Sequence, residues 1–241
     1  MHRKLHLATV WSGPAFFVLY LIAFGVIAGY LPPPSPSLTA AQIQQLFDED
    51  GQRIRLGLIL GMIFCTLLFP FFGAFSMQIA RIERRMPILA AMQLAAATLL
   101  IVFFFLCHML WIAMTFRPSY GEVAMQQMND LAWLIFVMVF PTYVLQMFCI
   151  ALAVFLDDRP EPAFPRWYGY FCLWVGLAGA GGAIAVYFTH GPFAWNGIVG
   201  FWIPIAMFAL WLCLSVPVLL KAVNRQFDEF DAEDALLASA L

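Results

Sequence analysis

The stretch that decides the fold runs from Phe103 to Trp133, FFFLCHMLWIAMTFRPSYGEVAMQQMNDLAW. It starts deep in one apolar run, surfaces at Arg117 and Pro118, and enters a second apolar run after Asn129 and Asp130. Proline stops a helix, because it lacks a donor and clashes with the preceding turn. A carboxylate ahead of the next run suits the free N–H groups and positive dipole end of a helix start. The pattern is two membrane-crossing helices joined by a short polar connection.

Composition extends that reading to the whole chain. Of 241 residues, 63% are hydrophobic and 11% charged, and mean hydropathy is +0.87. Soluble domains carry about 25% charged residues, so this chain does not pack one water-soluble core. Apolar runs longer than about 18 residues mark spanning helices. Six are read here, over about 9–31, 54–80, 87–116, 131–155, 167–188 and 198–223. The fold class is therefore all-α, a polytopic membrane protein of six transmembrane helices in one domain, 1–225. An acidic tail, 226–241, follows. The net charge of −2 excludes a strongly basic nucleic-acid-binding surface. The five cysteines lie in apolar runs with no CxxC pair, so they read as small buried hydrophobes, not as a disulfide framework or zinc knuckle.

The first run follows His2, Arg3 and Lys4 and is too long for a signal peptide, so it reads as a retained span. Pro32, Pro33 and Pro34 stop it. Residues 39–50 read as an amphipathic outer helix: Thr39 and Gln42 have capping-box spacing, and Leu38 and Ile43 fit the hydrophobic staple. Ile43, Leu46 and Phe47 share one face, and Gly51 is expected to end the helix. The acids 48–50 read as solvated, facing Arg53 or Arg55. The tail carries five acids and no base, which suggests a solvated segment.

Basic residues set the orientation. Arg3, Lys4, Arg81, Arg84, Arg85, Arg159, Arg166, Lys221 and Arg225 fall on one side, against Arg53, Arg55 and Arg117 on the other. Nine of the twelve basic residues therefore place both termini in the cytoplasm.

The candidate site lies toward the outer side. His108 is the one ionisable residue well inside an apolar run, roughly 13 Å below Arg117 at 1.5 Å per residue. A buried ionisable group in a membrane marks a functional candidate. Trp111 and Thr115 follow His108 on one helical face. Arg117, Asn129 and Asp130 flank the next connection, and His190, Trp195 and Asn196 occupy a third. These nine residues are read as ligand-binding, with Arg117 expected to face Asp130 or an anionic group. No H-x-x-H box, HExxH helix, GxSxG elbow or Walker loop is present, so no catalytic residue, cofactor or metal is assigned. In the fifth run, GLAGAGGA at 176–183 places small residues four apart, which lets helices approach closely. Pro70, Pro141 and Pro204 fall in the second, fourth and sixth spans, as in the broken helices of transporters.

PPPSPSLTA at 32–40, FRP at 116–118, ND at 129–130, FPRW at 164–167 and HGPFAWNGIVGFWIP at 190–204 together resemble an uncharacterised family of bacterial multi-span membrane proteins. The resemblance covers nearly the whole chain. It implies six spans in a bacterial inner membrane, and no activity.

Three functions suit these residues. The first is binding, or transport, of a small amphipathic or lipid-like molecule through a site open to the outer side. The second is an accessory subunit of a larger membrane complex, or a homo-oligomer, joined through the glycine-rich span and the tail. The third is a membrane enzyme or redox protein centred on His108 and His190.

Overall fold

The computed structural model describes residues 2–117 and 120–239. Pro118, read above as a helix stop, and the last two residues of the tail lie outside them. Among the described residues there is no strand, and six helical rods are long and apolar enough to cross a membrane. The protein is thus a multi-pass helical membrane protein, and most of its rods are built from two pieces.

The first span is α1 (His2–Tyr20) continued by a π-helical turn, Leu21–Ile27. The second joins α2 (Ala40–Cys65) to α3 (Leu68–Glu83), and the third is α4 (Ile88–Met114). The fourth joins α5 (Glu122–Met138) to α6 (Phe140–Leu156). The fifth is α7 (Arg166–Gly179), tightening into a 3₁₀ segment at Ala180–Tyr187. The sixth starts as a π-helical turn, Ile198–Trp202, and runs on as α8 (Ile203–Ser239).

Three boundaries differ from the sequence reading. The Thr39–Gln42 capping box forms, but the helix it starts runs on through Gly51 to Cys65. Glycine inside a helix costs only about 1 kcal/mol, and the burial of Ile43 and Phe47 offsets that. The helix after Arg117 starts at Glu122, not near 131, so Asp130 stands about two turns inside α5 and does not cap it. The tail is helical through Ser239.

The tail's first turns are docked. Arg3 Nη1 donates to Asp228 at 2.9 Å and Arg3 Nε to Asn224 Oδ1 at 3.1 Å. Arg81 pairs with Glu229, and buried Gln78 donates to Gln226 at 2.7 Å. The ends of the chain therefore meet at one end of the bundle, which also holds a tight turn organised by Asp157. That carboxylate accepts from Arg159 Nε at 2.7 Å, Arg159 Nη2 at 2.8 Å and the Ala163 N–H at 2.7 Å. Burial alone would raise the Asp157 carboxyl, but the Arg159 and Ala163 hydrogen bonds outweigh it and hold the group below its ordinary value. Nearby, Glu83 caps α4 by accepting the N–H groups of Leu89 and Ala90 at 2.8 and 2.9 Å.

The glycine-rich run packs inside the monomer. A Cβ on Gly179 would overlap the Tyr143 ring, one on Gly181 the Val199 carbonyl, and one on Gly182 the Val137 carbonyl. Each glycine thus brings the fifth span against a different partner, in the fourth or sixth span. Four of the five cysteines are buried as expected. Cys213 is exposed on α8.

Candidate functional site

His108 is fully buried in α4. Its Nδ1 lies 2.6 Å from the Phe104 carbonyl, which can only accept, so Nδ1 carries the proton. That leaves Nε2 to accept from the Tyr20 hydroxyl, 3.2 Å away. Gly61 makes room for the pair: a Cβ there would stand 3.0 Å from Nε2. Both ring nitrogens are taken up by the protein itself.

Above His108 sits a packed aromatic cluster. Trp111 meets Trp133 at 4.8 Å and Tyr30 at 5.0 Å, in edge-to-face arrangements that suit the ring quadrupoles. Trp195 stacks on Trp133 at 6.4 Å and donates Nε1 to the Pro34 carbonyl at 3.0 Å. Ser37 reaches the Thr189 carbonyl at 2.8 Å, and Gln126 reaches the Leu38 carbonyl at 3.2 Å. These bonds tie two connections and the first turns of α5 together over Trp111, Trp133 and Tyr30, all fully or nearly fully buried.

The nine expected site residues therefore do not converge on an open mouth. Trp111, Asn129 and Trp195 are buried with His108, while Asp130 and Asn196 are half-buried. Thr115 is engaged by Arg55, whose Nε donates to Thr115 Oγ1 at 2.9 Å and whose Nη2 reaches the Thr115 carbonyl. That places a cation on the C-terminal carbonyls of α4. Arg117 is exposed, with its guanidinium 5.5 Å from the Phe116 ring centre. Among the described residues no ion pair joins it to Asp130. His190 is exposed beside Thr189, so the two histidines do not share a site.

An apolar cleft lies elsewhere, between the spans. It is partly open, has a volume of about 120 Å³ and is lined by the first span, α4 and the fourth, fifth and sixth spans. Leu100 and Phe104, near the middle of α4, form part of its wall, with Phe24, Phe136 and Phe201. Tyr20 lines it too, so the Tyr20–His108 bond joins the cleft to the aromatic cluster. Phe17, Leu21, Val139, Phe140 and Ile205 are half-exposed lining residues.

Each irregularity in those four spans touches this cleft. The π turn of the first span begins beside Tyr20, and the fourth span breaks at Val139. The fifth changes to 3₁₀ after Gly179, and the sixth is π-helical at Gly200 and Phe201. Within a bilayer, broken helix is tolerated where protein buries it or where it lines a cavity. Pro141 and Pro204 lack the N–H groups that would reach the carbonyls of Val137 and Gly200, and both of those residues line the cleft. α1 packs along α8.

Sequence reading missed these lining residues. An apolar side chain facing a cleft looks, in sequence, like one facing lipid. The usable signal was the pair of prolines, which marked where the helices open.

Comparison with protein-family models, with curated proteins and with solved structures finds no match to this chain.

Proposed function

We propose that this is a non-enzymatic protein of a bacterial inner membrane, with both termini cytoplasmic, that takes a lipid-like molecule into the cleft between its spans. The observation that carries the proposal is the coincidence of an apolar cleft with the helix breaks of four spans. Ligand sites combine apolar walls with a few placed polar groups, and transporters place their sites where helices are discontinuous. The cleft's half-exposed rim belongs to membrane-spanning segments, so the molecule enters sideways from the bilayer and not through the tied outer connections. The nine-to-three distribution of basic residues supports the orientation.

Native mass spectrometry of protein released gently from lipid nanodiscs tests this. Wild-type protein carries a bound lipid-like molecule. Ile205→Trp, which fills the cleft with side-chain volume, loses it at an unchanged unfolding temperature. Wild-type protein that arrives bare from each lipid mixture overturns the proposal.

A further inference from the structure

The side chains lining the cleft say what kind of molecule fits. None of them is charged, and only Tyr20 and Tyr143 carry a polar side-chain atom. Tyr20 spends its proton on His108 Nε2. Tyr143 is 7% exposed, and its hydroxyl is buried with no hydrogen-bond partner among the described residues. Buried polar groups are nearly always satisfied, and an exception calls for a partner. The wall thus offers one side-chain hydroxyl and no counter-charge.

We propose that the molecule held here is a neutral lipid-like compound: a hydrocarbon body bearing one uncharged hydroxyl, which meets the Tyr143 hydroxyl. This rests on the cleft reading given above. An ionised phosphate, carboxylate or ammonium group would lose its water and gain no opposite charge, which an apolar site does not tolerate. A hydroxyl accepts from Tyr143, so it uses the one polar group the wall supplies. The Tyr143 ring is fixed for the purpose, because Gly179 packs against it without a side chain.

The test compares hexadecane, hexadecanol, hexadecyl sulfate and hexadecyltrimethylammonium, each binding to the full chain in detergent micelles. Binding to Ile205→Trp is the background. Hexadecanol binds more tightly than either charged compound. Tyr143→Phe weakens hexadecanol about tenfold, the worth of one buried hydrogen bond, and leaves hexadecane unchanged. That variant breaks no hydrogen bond among the described residues, so it folds as the wild type does. If a charged compound binds most tightly, or hexadecanol is indifferent to Tyr143→Phe, the neutral-hydroxyl assignment is wrong. The cleft reading then still stands on hexadecane binding above background. If no probe rises above background, both fall.

Discussion

The Tyr20 hydroxyl donates to His108 Nε2 at 3.2 Å, linking residues 88 positions apart in the chain. The imidazole is held on its other side by the Phe104 carbonyl, so His108 sits as a neutral, oriented acceptor behind the wall of the cleft.

Tyr20→Phe leaves that acceptor buried and unsatisfied. A loss of about 1–3 kcal/mol in unfolding free energy follows, measured by thermal unfolding in detergent. Nitrogen-15 NMR of His108 should show Nδ1 protonated in the wild type. Protonation at Nε2 instead would contradict the hydrogen-bond pattern.

Glycines should split sharply by location. Gly182→Ala drives a methyl group into the Val137 carbonyl, and Gly179→Ala drives one into the Tyr143 ring. Overpacking of this kind costs about 1–3 kcal/mol, occasionally more. Gly51 and Gly73 lie in helices with open space where a Cβ would go, so alanine there stabilises by about 0.5–1 kcal/mol. Chemical unfolding of the four variants decides it.

The spans were legible in the sequence because hydropathy reports helix length directly, and the glycine run was legible as close packing. What the glycines pack against was not, since Val137, Val199 and Tyr143 lie in other spans. His108 stood out as a polar residue among apolar ones, but its partner Tyr20 is one aromatic in an aromatic-rich run, and Gly61 gives no local sign. The connection after Arg117 was read as loop because MQQMND is polar. Burial of Met125 and Asn129 against the bundle makes that stretch helix instead. The tail looked solvated because its acids have no bases in their own segment, and Arg3 and Arg81, which meet them, are distant in sequence.

Tail truncations separate docked from free helix. Removing residues 232–241 changes stability by no more than about 0.5 kcal/mol, as expected where residues 232–239 are exposed. Removing 226–241 also takes Gln226 from Gln78, Glu229 from Arg81 and Asp228 from Arg3. Because Gln78 is then left buried without its partner, the loss is about 1–3 kcal/mol. Equal stability of the two truncations would show that the docking contributes nothing.

Asp157 supplies a pH dependence. Its carboxyl titrates below the ordinary value in the folded protein. The stability it contributes is therefore fully present above the unfolded value of about 3.9 and is lost as pH falls through the lower folded value. Asp157→Asn removes this acid-sensitive component and lowers stability at neutral pH by about 1.5–3 kcal/mol, the range for hydrogen bonds to a charged group. Unfolding temperatures from pH 7 down to pH 3 should converge for the two proteins. A constant gap across that range would contradict the assignment.

The occupied cleft is the central claim, and locating a heavy atom tests it most directly. Crystals grown from a lipid mesophase containing 1-bromohexadecane should give an anomalous bromine peak inside the cleft, within about 4.5 Å of Phe136 or Ile205 side-chain atoms. The Ile205→Trp crystals should lack it. Bromine found only along the outward-facing surfaces of the spans, with the wild-type cleft collapsed or filled by its own side chains, would contradict the account.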